Sequence, residues 1–403
     1  MNAADTGFMI ICSALVMFMV PGLALFYGGL VQRRNVLSTT MHSFILLGIG
    51  SVFWAVLGYS LAFGSDFGGL IGKLEYPFLS GVGMAPGGPV DNIPHLVFMT
   101  FQCMFACLTP ALISGTYAER FRFSAMVLFT LLWLVVVYSP LAHWVWGGGW
   151  LAEIGALDFA GGAVVHMSSA AAALACAHAL GPRMGSVTGQ TSPHNLPLTI
   201  LGAGVLWFGW FGFNAGSALA ADGLAANALA TTQLAAAASI IGWLLVEKRH
   251  TGKPTTLGAA SGALAGLVAI TPASGFVTPG AALLIGFFSG MLCYGGVLMK
   301  SKLGYDDALD VVGIHGVGGT WGALATGLFA TAAVNGVDGL FYGNPKQLWI
   351  QFISIVATWV FCYVASRLIL ALVNVITPIR CTENDEIVGL DLSEHNESGY
   401  KIL

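Results

Sequence analysis

Long apolar stretches alternate with short polar segments along the whole chain. Eleven of these stretches approach the roughly 20 residues a helix needs to cross a bilayer core. They cover residues 8–31, 41–63, 94–117, 123–141, 161–181, 196–217, 226–247, 255–272, 277–299, 309–331 and 347–377. The pattern predicts an all-α integral membrane protein with eleven transmembrane helices. Residues 1–377 form one membrane domain, and 378–403 form a short polar tail. The first stretch does not read as a secretory signal. No basic segment precedes it, Asp5 does, and Arg33 and Arg34 follow it. A retained first helix with its N-terminus outside is the expectation.

Charge supports that orientation. With the N-terminus outside, Arg33, Arg34, Arg120, Arg122, Arg183, Lys248, Arg249, Lys253, Lys300, Lys302, Arg380 and Lys401 fall in inner segments. Lys73 and Lys346 fall outside, and Arg367 lies within the last helix, which accounts for all 15 basic residues. Basic residues concentrate on the cytoplasmic side of membrane proteins, so the C-terminal tail is expected in the cytoplasm and the chain in the cell (inner) membrane.

Composition agrees. The chain is 56% hydrophobic and 8% charged, with mean hydropathy +0.81. A soluble domain carries about 25% charge, so a solvated globular surface is excluded. A net charge of -4 gives no footprint for nucleic acid. Seven cysteines, none in C-x-x-C spacing, give neither a zinc signature nor a disulfide framework.

Two histidines stand inside these apolar runs. His166 closes Asp158-Phe-Ala-Gly-Gly-Ala-Val-Val-His166 in the fifth stretch. His315 closes Asp310-Val-Val-Gly-Ile-His315 in the tenth. An ionisable residue at membrane depth is costly and marks a solute or proton path. An acid, a glycine-rich turn and an inward histidine thus occur twice, once from each side. The pattern predicts an inverted pseudo-repeat of helices 1–5 and 6–10 plus a long last helix, with the solute site at the interface of the halves. The alternative for each histidine is a core residue bonded to a backbone carbonyl. Haem ligation wants paired histidines on each of two helices, and a metal wants a third ligand; neither is offered. No cofactor is expected. A bridged neutral pair remains, since two adjacent positive rings in low dielectric are disfavoured.

Aromatic residues gather toward the outer ends. Phe101 and Phe105 share a face of helix 3 at i, i+4. Helix 6 carries Trp207, Trp210, Phe211 and Phe213 and ends at Ser217, and the segment after helix 4 carries Trp144, Trp146 and Trp150. Such residues often serve as interfacial anchors. Convergence of Trp146, Phe105 and Ser217 at one vestibule would instead suit a hydrogen-bonding cation, at about 0.5–2 kcal/mol per cation–π contact. Asp158 and Asp310 are read as helix caps, with Asp158 also able to add field beneath the vestibule.

These motifs, with Trp207-Phe-Gly-Trp-Phe-Gly-Phe-Asn-Ala-Gly-Ser217, Gly304-Tyr-Asp-Asp-Ala-Leu-Asp310, Pro21-Gly-Leu-Ala-Leu-Phe-Tyr-Gly-Gly29 and Ala118-Glu-Arg-Phe-Arg-Phe-Ser124, resemble the Amt/MEP/Rh ammonium transporter superfamily, Amt branch. The resemblance spans essentially the whole chain. It implies a homotrimer with one pore per protomer. It implies that Trp146, Phe105 and Ser217 recruit ammonium, that Phe105 and Phe213 form a phenyl gate, and that His166 and His315 are the twin histidines of a narrow pore. Trp210 would line that pore, and Asp158 would be the buried acid near recruitment. The tail from Gly389 to Tyr400 is similar to the family's regulatory tail, which implies a PII-type (GlnK-like) partner. Asn396 replaces the usual glycine there, and Ser398-Gly399 precede Tyr400. On this reading ammonium sheds a proton near the gate and ammonia passes the histidines. An ammonium sensor and a Rh-like neutral gas channel are the alternatives. No G-x-S-x-G, H-E-x-x-H or paired intramembrane aspartates suggest an enzyme.

Overall fold

The computed structural model describes residues 1–185 and 192–400. Every one of the eleven apolar stretches contains helix. In chain order these are α1 (Ala3–Leu30), α2 (Val36–Phe53, continued by Tyr59–Phe63), α3 (His95–Tyr117), α4 (Phe123–Trp133, continued by Ser139–Trp146), α5 (Ser168–Leu180), α6 (Leu196–Gly216), α7 (Gly223–Thr251), α8 (Thr256–Ile270), α9 (Pro279–Leu303), α10 (Val317–Phe329) and α11 (Pro345–Ile376). Among the described residues, nine helices are long and apolar enough to cross a membrane. The other two are α8, of 15 residues, and α10, of 13. The expected lengths overshot at α8, whose last turn ends before Pro272, and at α10, which is α-helical only after a wider turn.

Other boundaries moved for reasons of capping. Asn2 accepts a hydrogen bond from Ala4 N at 2.9 Å, so α1 starts five residues before the predicted 8. Asp222 accepts from the amides of Leu224 and Ala225 and starts α7 at Gly223. A polar side chain at such an end satisfies amides that have no partner inside the helix.

Among the described residues, four π turns interrupt the helices: Trp54–Gly58 in α2, Leu134–Tyr138 in α4, Gly162–Met167 leading into α5 and Val312–Gly316 leading into α10. Wide turns of this kind occur often at functional sites. Both singled-out histidines lie within the last two.

Glycine lets the helix axes approach. On α6, a Cβ at Gly202 would lie 2.3 Å from Phe26 N, and one at Gly209 would lie 2.3 Å from Met19 Cγ. α1 and α6 therefore touch backbone to backbone, and the same logic joins α8 to α7 at Gly262 and Gly266. This close pairing fixes where α6 sends Trp210 and Phe213. All seven cysteines are buried and form no disulfide.

Two antiparallel hairpins, β1 (Asp66–Phe67) with β2 (Ile71–Gly72) and β3 (Pro86–Gly87) with β4 (Val90–Pro94), link α2 to α3. The tail folds back on the opposite end as α12 (Glu383–Val388) and α13 (Leu390–Ser393). Asp391 Oδ1 accepts from Ser38 N at 2.8 Å in the first turn of α2. Glu394 Oε2 accepts from Phe123 N at 3.1 Å at the start of α4. Burial pushes the Asp391 carboxyl above its ordinary range, against the pull of the backbone amides it accepts from.

Candidate functional site: cavities and the ring stack between them

Among the described residues, three cavities bear on the expected site residues. The one expected to face outward, called the outer cavity, is about 350 Å³ and is lined by Phe63, Phe98, Gln102, Phe105, Trp146, Phe159 and Ser217, among others. The expected trio of Trp146, Phe105 and Ser217 thus faces one space. Trp146 is aimed by its own loop, since its indole Nε1 donates to Asp158 O at 2.9 Å. Ser217 Oγ spends its proton on Phe213 O at 2.9 Å, which leaves its lone pairs to accept from a donor in the cavity.

Below the cavity the aromatic rings stand in contact. Phe105 lies 5.9 Å from Trp146 and 4.5 Å from Phe213, centroid to centroid. Phe213 lies 6.0 Å from His166 at an interplanar angle of 13°, and Trp210 lies 5.4 Å from it at 27°. His166 Nδ1 then meets His315 Nδ1 at 3.2 Å. Phe105, Phe213 and His166 are each at most 1% exposed, and His315 is 6% exposed. The two histidines, Trp210 and apolar residues such as Leu23, Leu108 and Leu206 border a second, narrow cavity of about 20 Å³. That is room for about one water-sized molecule.

The third cavity, about 200 Å³, is charged: Glu119, Arg183, Lys300 and Asp310 line it with Gln32. Asp310 borders both this cavity and the narrow one. Arg183 pairs with Glu119 at 2.9 Å and with Asp306 at 2.9 Å. Burial alone would raise the Asp306 carboxyl, but the hydrogen bonds and charge of Arg183, helped by Arg120, outweigh it and hold the group at about 2.

The two acids expected as caps part ways. Asp158 caps fully: Oδ1 accepts from Gly161 N at 2.8 Å and Gly162 N at 2.6 Å, and Oδ2 from Ala163 N at 2.8 Å and Val164 N at 3.3 Å. Gly161 has φ +124°, which folds the amides around the carboxylate, and a Cβ there would press on Val165 at 2.6 Å. Asp310 does not cap. Its φ of +64° belongs to the left-handed region, and its Oδ1 receives Lys300 Nζ at 2.5 Å. Asp307 takes the cap, with Oδ2 accepting from Val312 N at 2.7 Å. The expectation for Asp310 is corrected accordingly: three residues' difference in sequence moved the role from Asp310 to Asp307.

Sequence reasoning missed Gln102, Phe159 and Thr271. Gln102 and Thr271 were visible as polar residues within apolar runs. Phe159 stood beside Asp158 and was not weighed.

The apolar helices define a multi-pass membrane protein, with a buried ring stack and a histidine pair between two larger cavities. Comparison with known proteins makes the class specific. The chain belongs to the ammonium transporter family, whose model matches residues 7–400. It is 55% identical over 404 residues to an ammonium transporter of Bacillus subtilis, covering 100% of this chain and 99% of that one. The crystal structure of Saccharomyces cerevisiae Mep2 superposes with TM-score 0.90 at 37% identity, over 95% of this chain and 88% of that chain. A structure described as a sensor Amt protein gives TM-score 0.90 at 29% identity, over 97% and 98%.

Proposed function

We propose that this chain moves ammonium across a membrane by recruiting the cation at the outer cavity, removing a proton near the phenyl pair and passing ammonia along the histidines. The observation that carries this reading is the unbroken ring series from Trp146 through Phe105 and Phe213 to the bonded His166–His315 pair. An intact cation taken from water into such surroundings loses several kcal/mol even after relaxation. The outer cavity offsets part of that through cation–π contacts with Trp146 and Phe105 and a hydrogen bond to Ser217. A neutral ammonia molecule fits the narrow cavity, and small ring displacements of Phe105 and Phe213 open its way. Potassium has no N–H to donate and no proton to give up, so it fails at both stages.

The reading includes eleven crossings in two inverted halves, an outward N-terminus and a cytoplasmic tail. What supports the inversion is that the lead-in to α5 borders the outer cavity at Phe159, while the lead-in to α10 borders the inner one at Asp310. The homotrimer and a PII-type partner at the tail come with the family reading. The tail's folded contacts with the starts of α2 and α4 give such a partner a surface to act on.

The test is an ammonium concentration jump on reconstituted protein, recorded as current on a supported membrane beside uptake into vesicles. Ammonium-dependent flux is expected, and the double variant His166→Ala with His315→Ala is expected to abolish it or its selectivity over potassium. Unchanged selective flux in that variant rejects the conduction path. Flux without current marks the neutral gas channel; tight ammonium binding without flux marks a sensor.

A further inference from the structure

Thr271 sits just after α8, buried beside the histidine pair, with three partners on one hydroxyl. Its Oγ1 donates to Leu267 O at 2.7 Å. Trp210 Nε1 lies 2.9 Å from the same oxygen, and His166 Nε2 lies 3.3 Å from it. A hydroxyl has one proton and two lone pairs. The proton is committed to a carbonyl, which can only accept. Indole nitrogen can only donate. The remaining lone pair therefore faces His166 Nε2, and that contact is a hydrogen bond only when Nε2 carries hydrogen.

We infer that Thr271 is a positioning residue that fixes the protonation pattern of the histidine pair. With hydrogen on Nε2, neutral His166 has a bare Nδ1. His315 Nδ1, 3.2 Å away, must then be the donor. His315 in turn keeps a bare Nε2. The pair becomes a directional chain: His315 donates to His166, and His166 donates to Thr271. The outer member ends in a donor and the inner member in an acceptor.

The consequence deepens the conduction reading above and rests on it. Ammonia in the narrow cavity offers N–H bonds, which the bare His315 Nε2 accepts. A proton arriving from the phenyl side meets a His166 Nε2 that already carries one, so inward relay through the two rings needs both rings to exchange tautomer first. A proton taken up at His315 Nε2 can be balanced by passage of the Nδ1 proton to His166 Nδ1 and loss of the Nε2 proton outward. Thr271 thus biases the pair toward ammonia passage and against inward proton relay.

The experiment is solid-state NMR of protein reconstituted in lipid with 15N-labelled histidine. The chain has nine histidines, so the two signals are assigned by their loss in His166→Gln and His315→Gln. Expected in the wild type are a protonated Nε2 and bare Nδ1 for His166, and the reverse for His315. Thr271→Val, which keeps shape and removes the hydroxyl, is expected to redistribute both signals, and Thr271→Ser to restore them. A wild-type His166 with bare Nε2 overturns the assignment whatever the variants do, as does a Thr271→Val protein with an unchanged pattern. Should Thr271→Val fail to fold, the wild-type pattern and Thr271→Ser still decide. Because the readout needs no transport, a failed flux assay and a failed tautomer assignment are separate results.

Discussion

The lead-ins to α5 and α10 deliver the same residue to the same place by different means. Each ends in a π turn, Gly162–Met167 or Val312–Gly316, and each carries its histidine there. The α5 lead-in is anchored by one carboxylate that four backbone amides surround. The α10 lead-in spreads the task over three acids. Asp307 caps, Asp310 pairs with Lys300, and Asp306 pairs with Arg183. The difference follows from the neighbourhood. Near the outer cavity the walls are aromatic, and an acid there is held by dipoles of its own loop. Near the inner cavity basic residues are at hand, and ion pairs hold the loop. A histidine can thus be fixed at membrane depth either by local backbone or by tertiary charge.

The largest expected effect breaks the first kind of anchor. Asp158→Ala leaves four buried amides without acceptors. At about 1–3 kcal/mol for each unsatisfied buried group, with partial relaxation, a loss on the order of 4 kcal/mol or more is expected. Asp307→Ala strands one amide, Val312 N, and the Thr116 hydroxyl, which lies 2.5 Å from Oδ1. Thermal unfolding in detergent should rank Asp158→Ala well below Asp307→Ala, with wild type above both. Equal losses would mean that the four amides find other acceptors and the contrast between the anchors is not energetic.

Much of this was readable from residues alone. The apolar runs located α1 to α11, because a bilayer demands length and hydrophobicity that few soluble segments share, but not the short tail helices α12 and α13, which carry no such run. The vestibule trio and the histidines stood out as residues and the phenyl pair through the family resemblance; the trio borders one cavity, the histidines border another, and Phe213 stands between them in ring contact with Phe105 and His166. The π turns were not readable, since nothing in Gly162–Met167 distinguishes a wide turn from an ordinary first turn. The exchange of roles between Asp307 and Asp310 was hidden for a similar reason. It depends on a left-handed backbone at Asp310, which spacing does not announce. Thr271 stood near the end of the eighth apolar run and was passed over, and only its three partners give it a further role.

A smaller effect distinguishes the two anchors by acid. Asp306 is held at about 2, below its ordinary 3.8, so its ionised form is favoured by folding. A carboxyl depressed in the folded state contributes fully above its unfolded value and loses that contribution as pH falls toward the folded one. At about 1.4 kcal/mol per pKa unit, about 2 kcal/mol should disappear between pH 4 and pH 2. Thermal unfolding of wild type across that window should fall more steeply than that of Asp306→Asn, which has no such proton to gain. Parallel curves would show that the α10 lead-in does not depend on the Arg183 pair.

The smallest effect concerns the outer mouth, where neither anchor is touched. Ser217 supplies lone pairs to the outer cavity, its proton being taken by Phe213 O. Ser217→Leu removes that acceptor and fills part of the cavity, while the histidines below keep their partners. One lost hydrogen bond is worth about 1 kcal/mol, or roughly fivefold in an equilibrium constant. The ammonium concentration for half-maximal flux should therefore rise severalfold, with the maximal flux falling less. Ser217→Thr, which keeps the hydroxyl, should stay near wild type. A half-maximal concentration that does not move would place recruitment elsewhere, because the proposed outer site takes its hydrogen-bond acceptor from this hydroxyl just after α6. A fall in maximal flux alone would instead assign Ser217 to the gate, since its hydroxyl bonds the backbone of Phe213, and would bring the outer mouth and the α5 histidine into one coupled unit.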